Sequence, residues 1–269
     1  MEVHHHSHHP KKFKEYITEF LMLFLAVSLG FFAENIREHQ VEKERAHELI
    51  IELKADIHKN IQLIDSVVLR DRLMLNKFDS AMVYLVSHNE VDGDSLYNNL
   101  PNNIIRFLSK NDTYEQMKSS GSLRYIKNPL LLERILNYSN DCQAAETRST
   151  SMEADFVSGI YTNQLNKWMP QSVAISRYVK DRNGSSNLIG KEHLSLALTS
   201  KNDTAIFLKP LAQFSKRIIY KGEQLEKLKD ELFPIIVRRT ILLTNTVRFM
   251  GLAKQSGITL LTDIDKQEN

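Results

Sequence analysis

The most constraining feature of this sequence is an apolar stretch near its beginning, at residues 16–33. It reads YITEFLMLFLAVSLGFFA, and from Phe20 onward it carries no charge. A helix that crosses a membrane needs about 20 mainly apolar residues. Residues 13–35 reach that length and have aromatic side chains at both ends, where such side chains prefer the membrane interface. The sequence therefore predicts a transmembrane helix over residues 13–35.

Three residues give the predicted span a distinct face. Glu19 lies about one turn inside the span, where a carboxylate stays near the interface or turns toward a partner helix. Ala26 and Gly30 are small residues four positions apart, a spacing that lets two helix backbones approach closely. We predict that Glu19, Ala26 and Gly30 form an interface with another copy of the chain or with a partner membrane protein.

The charges that flank the span predict its orientation. Three lysines at positions 11, 12 and 14 come at its start, whereas the residues after it carry mixed charges. Basic flanks stay in the cytoplasm, so the N-terminus is predicted to be cytoplasmic and the body to lie on the other side. The main alternative is a cleaved secretory signal, which has the same basic start and apolar run. A helical pattern that continues past Ala33, without a good cleavage site, favours a retained anchor.

Residues 1–12 form a tail that is rich in histidine and lysine. Clustered imidazoles bind zinc, nickel or copper, so the tail is a candidate metal site. A flexible tail has no fixed ligand geometry, and adventitious binding of zinc or nickel is the simpler interpretation. No dedicated cofactor is predicted. The five histidines are His4, His5, His6, His8 and His9.

The remaining residues, 36–269, are predicted to form one all-α domain, an elongated helical bundle. Only 9 glycines and 6 prolines occur in 269 residues, which favours long helices over a turn-rich fold. Apolar residues recur in steps of three and four up to about residue 88, so the first helix of the body continues the span. Residues 170–189 are predicted to be a loop or a small hairpin, because β-branched residues precede an Asn-Gly turn. For residues 235–250 a helix is favoured over a strand.

Local signals predict several helix ends. Gly121 is suited to the left-handed conformation that follows a helix, and Asn128 is suited to cap the next helix with Pro129 at its first position. A short helix is predicted over residues 95–108. Pro234 is predicted to kink or break the last long helix, because proline cannot donate a backbone hydrogen bond.

Composition and motifs exclude several classes of function. With 35 basic and 33 acidic residues, the net charge is +2, far from the basic balance of a nucleic-acid-binding domain. The sequence has no phosphate-binding glycine loop and no G-x-S-x-G, C-x-x-C or H-E-x-x-H motif. Cys142 lies on an apolar helix face and is predicted to be a buried, unreactive thiol. The acidic residues of the helices are interpreted as solvated, and no enzymatic activity is predicted.

Two stretches resemble one protein family. They are the anchor around Glu19 and Gly30, and residues 113–128, which read TYEQMKSSGSLRYIKN. Both resemble a widespread, uncharacterised family of single-pass membrane proteins from Bacteroidota. The resemblance covers the first half of the chain well and the last third loosely, and it is lost over residues 170–200. It implies a short cytoplasmic tail, one span in the bacterial inner membrane and a helical periplasmic region, and it implies no activity.

The leading hypothesis is a non-enzymatic scaffold or accessory subunit, anchored in the inner membrane and assembled with itself or with a membrane-protein partner. One alternative is a ligand-sensing helical domain that signals through a partner. A buried polar pocket with converging arginine and asparagine residues would favour that alternative. The other alternative is metal binding through the histidine-rich tail.

Overall fold

Helices form nearly all of the part of the chain that the structure describes, which confirms the all-α prediction. The computed structural model describes residues 13–182 and 217–268. The first helix, α1 (Phe13–Ser87), is 75 residues long, which corresponds to about 110 Å. The apolar stretch and the first helix of the body are therefore one continuous helix, as predicted.

After α1 the chain makes a short strand and then returns along the same helix. The elements are β1 (Glu90–Asp92), α2 (Gly93–Asn98), α3 (Asp112–Ser120) and a 3₁₀ turn (Ser122–Tyr125). The helix predicted over residues 95–108 is wrong beyond Asn98, since residues 99–111 are not helical. Pro101 explains this end, because it lacks a backbone donor and disfavours helical geometry at the preceding residue. Gly121 has a φ of 74°, as predicted for the residue after a helix.

The second long helical segment runs from Pro129 to Trp168, and we call it the composite helix. It consists of α4 (Pro129–Thr147), α5 (Glu153–Asp155) and α6 (Thr162–Trp168), joined by π-helical segments at Arg148–Met152 and Phe156–Tyr161. The side chain of Asn128 accepts hydrogen bonds from two backbone N–H groups of the first turn, at 3.0 and 3.3 Å. The predicted cap at this end is confirmed.

The last described elements are α7 (Gln171–Arg182), β2 (Ile219–Lys221) and α8 (Gly222–Glu268). The loop or hairpin predicted for residues 170–189 is wrong over residues 171–182, which are helical, and residues 183–189 lie outside the described ranges. Val173 is 7% exposed and packs in the core, so tertiary packing outweighs the β preference of the local sequence.

The long α8 confirms the helix predicted for residues 235–250. Pro234 lies inside α8, so the predicted break at this proline is wrong. Residues 219–221, directly before α8, form β2. This strand pairs antiparallel with β1, with Val91 opposite Tyr220, and joins the end of α1 to the start of α8.

The described residues of the body form a bundle of three long helical segments. The start of α8 lies beside the end of α1, because β1 and β2 are paired there. Near the other end of α8, Oδ1 of Asp265 lies 2.7 Å from Nζ of Lys54 on α1. The two helices are therefore antiparallel. The composite helix runs antiparallel to α8, since Arg134 near its start contacts Asp263 at 2.5 Å and Lys167 near its end contacts Glu231 at 2.6 Å. Two apolar clusters fill the bundle. The lower core lies beside the earlier half of the buried face of α1 and includes Leu53, Ile57, Ile135, Met250 and Leu260. The upper core lies beside the last turns of α1 and includes Phe78, Leu85, Tyr97, Tyr161 and Leu232.

Candidate functional site

The buried face of α1 contains two polar residues at positions where an apolar residue is expected. From residue 57 to residue 85 the buried residues alternate in steps of three and four, as in the seam of a coiled coil. Asn60 and Asp71 stand in this repeat. Its members are Ile57, Asn60, Ile64, Val67, Asp71, Met74, Phe78, Ala81 and Leu85.

Asn60 is fully engaged in hydrogen bonds. Its amide nitrogen donates to the backbone carbonyl of Lys110 at 2.9 Å and lies 3.0 Å from the hydroxyl of Tyr138. Its amide oxygen accepts from the backbone N–H of Lys110 at 2.7 Å. These bonds tie α1 to the returning segment and to the composite helix. Asn60 is therefore a structural clamp in the lower half of the body.

Asp71 belongs to a cluster of three buried charged residues. Asp71 on α1, Glu153 on the composite helix and Arg239 on α8 are 0%, 1% and 0% exposed. Arg239 stands between the buried residues Ile236 and Leu243, again in steps of three and four. Glu153 is the first residue of α5, between the two π-helical segments. Such segments are frequent at functional sites. We call these three residues the charged cluster.

Arg239 is the centre of the charged cluster. Its Nη2 donates to the backbone carbonyl of Asn103 at 2.7 Å and to Oε1 of Glu153 at 3.3 Å. The guanidinium carbon lies 4.6 Å from the ring centroid of Tyr161 and 5.5 Å from that of Phe78. Cation–π contacts of this kind gain strength when they are desolvated. Arg239 thus links all three helical segments to the segment that contains Asn103.

Several polar atoms of the charged cluster lack a hydrogen-bond partner. Across residues 13–182 and 217–268, no partner exists for either carboxylate oxygen of Asp71, for Oε2 of Glu153, for Nε and Nη1 of Arg239, or for the hydroxyl of Tyr161. Buried polar groups in proteins are normally hydrogen-bonded, and an unpaired one costs about 1–3 kcal/mol. The cluster is therefore a costly feature of the core, unlike the clamp at Asn60.

Burial changes the acidity of every member of the charged cluster. It raises the pKa of Asp71 to about 7, and the nearby Glu153 carboxylate adds to this rise. Burial also raises the pKa of Glu153 to about 7, against the effect of Arg239. Burial lowers the pKa of Arg239, against the effects of Tyr161 and the two acids. The interpretation of the helical acids as solvated is therefore wrong for Asp71 and Glu153.

The predicted interface residues of the span lie on the part of α1 that the body does not cover. Glu19, Ala26 and Gly30 are all exposed, and their spacings of seven and four residues place them on one helix face. The most apolar 18-residue window of α1 has a mean hydropathy of 1.9, and none of it is buried. An exposed apolar helix near the N-terminus is consistent with a single-pass membrane protein.

The remaining predictions concern metal binding by the histidine-rich tail and the burial of Cys142. The histidines at positions 4, 5, 6, 8 and 9 lie outside the described residues. Within the described ranges, no group of three or more His, Cys, Asp or Glu side chains is arranged to hold a metal ion. Cys142 is 2% exposed, and burial raises the pKa of its thiol to about 11. The predicted buried thiol is confirmed.

Sequence reasoning missed the charged cluster, although a signal was present. Arg239 and Asp71 each continue an apolar repeat in phase, which places a charge on a buried face. Glu153 has no such signal, because the π-helical segments shift the phase of the composite helix.

No family model matches this chain, and no curated protein or solved structure is significantly similar to it.

Proposed function

We propose that this protein is a non-enzymatic helical scaffold or accessory subunit that α1 anchors in the bacterial inner membrane. The observation that carries the proposal is the continuity of α1. Its first part presents exposed apolar side chains, and its second part is the spine of a packed body. A bilayer is the environment in which an exposed run of this length and composition is stable. One rigid helix then holds the body at a fixed orientation to the membrane.

The orientation in this proposal follows from charge. The lysines around the start of the span support a cytoplasmic N-terminal tail and a periplasmic body. The resemblance to single-pass membrane proteins of Bacteroidota implies the same arrangement. Membership of that family stays a prediction.

The proposed partner contact is the face formed by Glu19, Ala26 and Gly30. Apart from the adjoining backbone of α1, no atom of the described residues lies within 4 Å of the position where a Cβ of Gly30 would be, so a second helix has access to this backbone. Close approach at small residues is a common way for membrane helices to associate. The partner is another copy of this chain or a different membrane protein.

Cysteine cross-linking in native membranes tests this contact. In a Cys142→Ala background, Ala26→Cys and Gly30→Cys should each give a disulfide-linked species, whereas Ser28→Cys on the opposite face should not. The species should have twice the mass of the chain for a homodimer, or a different mass for another partner, which mass spectrometry then identifies. Equal cross-linking at all three positions, or none at position 26 or 30, would contradict the proposed interface.

The charged cluster favours the ligand-sensing domain as a second candidate. Arg239 converges with the backbone of Asn103 in the core, and several polar atoms beside it have no hydrogen-bond partner among the described residues. A sensor predicts that changes in the cluster alter partner binding, whereas a passive scaffold predicts that they do not. Affinity capture from native membranes with the wild-type chain and with Glu153→Gln distinguishes the two, since only the sensor should change the amount of partner recovered.

A further inference from the structure

We infer that Asp71 and Glu153 share one exchangeable proton, and that its release rearranges the composite helix between residues 148 and 161. The upper half of the body would then be a pH-sensitive joint. This inference goes beyond the proposed scaffold function and does not depend on the membrane span. It rests on the charges, the burial and the backbone geometry of the three packed helical segments.

The charge balance of the cluster requires a proton. With both acids ionised, the two carboxylates and the single guanidinium carry a net charge of −1 in a site that is at most 1% exposed. A buried uncompensated charge is strongly disfavoured, and such a group neutralises instead. One proton on either carboxyl group makes the cluster neutral and leaves one carboxylate for Arg239. Two acids that interact in this way titrate as a pair.

Neighbouring charged groups are directed toward other partners. Arg70, next to Asp71, is exposed and donates its Nε to the carbonyl of Ser66 at 3.2 Å, and its charge, screened by solvent, also lowers the pKa of Asp71. Arg177 on α7 donates to the carbonyl of Leu100 at 3.4 Å. Arg238 on α8 lies over the ring of Phe156, at 5.4 Å. Tyr161 stays neutral, because burial raises its pKa. Arg239 is therefore the buried cation that acts on both acids, through an ion pair with Glu153 at 3.3 Å and through its charge on Asp71.

The composite helix supplies an element with two states. Glu153 lies in a three-residue α-helical segment, with a π-helical segment directly before it and another directly after it. A π-helical turn holds one residue more than an α-helical turn, so its loss or migration turns the following residues by about 100°. Such a turn moves Glu153 from the core toward solvent. Release of the proton favours that movement, because an ionised Glu153 next to an ionised Asp71 is stabilised by water.

Infrared spectroscopy of the full-length protein in detergent micelles tests the shared proton. The wild type should show a protonated carboxyl band at about pH 5.5 that disappears by about pH 8.5. Asp71→Asn and Glu153→Gln should each remove this transition, because the remaining acid pairs with Arg239 and ionises at lower pH. The control variants Asp79→Asn and Asp155→Asn, at exposed acids on the same two helical segments, should retain it. A wild-type spectrum without the transition would overturn the inference, as would a single variant that keeps it.

Hydrogen exchange tests the conformational part. After correction for intrinsic rates, amides of residues 148–161 should exchange about tenfold faster or more at pH 8.5 than at pH 5.5. At pH 8.5 the ionised form of a group with a pKa near 7 exceeds its protonated form more than tenfold. Amides of residues 257–264, in the lower core, should not change. In Glu153→Gln, residues 148–161 should stay slow at both pH values. Equal acceleration in both regions, or none in the wild type, would contradict the pH-sensitive joint.

Discussion

The two parts of α1 have the same backbone structure but different surroundings. Residues 13–45 contain no buried residue, although residues 16–33 are the most apolar part of the chain. Residues 46–87 are more polar in composition, and one face of them is buried along the whole length. We call these the bare part and the covered part of α1. Apolar side chains in the covered part stabilise the fold, whereas those in the bare part require a surrounding that residues 13–182 and 217–268 do not provide.

The covered part contains a second contrast, between its two buried polar positions. Asn60 makes three hydrogen bonds and connects α1 to its neighbours. Asp71, eleven residues later on the same face, has no partner for either carboxylate oxygen within the described residues. A satisfied polar group specifies one packing arrangement, whereas an unsatisfied one is a place where the packing can change. The proposed pH-sensitive joint lies at the unsatisfied position of this pair, in the upper core.

The largest expected effect concerns the bare part. Leu23→Arg combined with Val27→Arg places two charges in the middle of the predicted span, where each costs about 2.5–3.5 kcal/mol. The double variant should leave the membrane fraction after an alkaline carbonate wash. The matched control is Leu69→Arg with Leu73→Arg, since these covered-part residues have the same spacing and are 63% and 57% exposed. The control should stay in the membrane, and equal behaviour of both double variants would break the comparison.

The next effect concerns the charged cluster. Arg239→Met removes the cation and leaves two buried acids, so the free energy of unfolding should fall by about 3–5 kcal/mol at pH 8. The loss should be smaller at pH 5.5, where both acids of the variant, which no longer face a cation, are protonated. Urea unfolding in micelles measures both values. The adjacent Arg238→Met should cost at most about 1 kcal/mol, because only a cation–π contact is lost. Equal losses in the two variants would argue against a special role of the cluster.

Stability should also depend on pH through the same cluster. The folded protein has a pKa of about 7 for Asp71 and for Glu153, whereas unfolded Asp and Glu have pKa values of about 4. Because the two acids share one proton, the folded state binds one more proton than the unfolded state between these values, and the free energy of unfolding should decrease as pH rises from about 4 to 7, by up to about 4 kcal/mol. Asp71→Asn with Glu153→Gln should be free of this decrease. A double variant with the wild-type slope would assign the effect to other groups.

A smaller effect without pH dependence is expected at the clamp. Asn60→Leu leaves the backbone N–H of Lys110 and the hydroxyl of Tyr138 without their partner, which should lower the free energy of unfolding by about 1–3 kcal/mol. The loss should be the same at pH 5.5 and at pH 8. Gln62→Leu, at an exposed position of the same helix, is the control and should change stability little.

The smallest effect separates close packing from helix propensity on α8. A Cβ at Gly257 would lie 3.0 Å from Cε2 of Tyr138 and 3.2 Å from Cγ2 of Ile57, whereas a Cβ at Gly251 would meet nothing within 4 Å. Gly257→Ala should therefore destabilise the protein by about 1 kcal/mol. Gly251→Ala should stabilise it by up to about 1 kcal/mol, as expected for alanine in place of glycine in a helix. A higher free energy of unfolding in both variants would show that the lower core accommodates an added methyl group without strain.

Features with local causes were predictable from the sequence. Gly121 and Asn128 mark helix ends because the φ angle of one and the side-chain hydrogen bonds of the other involve only adjacent residues. The continuity of α1 was also predictable, because its apolar repeat is long and contains no proline or glycine after Gly30. These signals do not depend on how distant segments pack.

Features that depend on distant contacts were missed. The strand at residues 219–221 exists because it pairs with residues 90–92, and α7 is helical where it packs against the upper core. The charged cluster joins three segments that are far apart in the chain, so neither its burial nor its pairing has a local cause. Only the phase of Asp71 and Arg239 within their apolar repeats indicated that these charges are buried.

The most direct test of the proposed anchor is the accessibility of single cysteines along α1 in native membranes. Because Cys142 is the only cysteine, a Cys142→Ala background makes each introduced thiol unique. Cysteines at positions 22, 25 and 29 should resist a water-soluble, membrane-impermeant maleimide, whereas cysteines at positions 37, 44 and 69 should react from the periplasmic side. Rapid labelling at positions 22, 25 and 29, equal to that at position 69, would show that the bare part of α1 does not cross a bilayer.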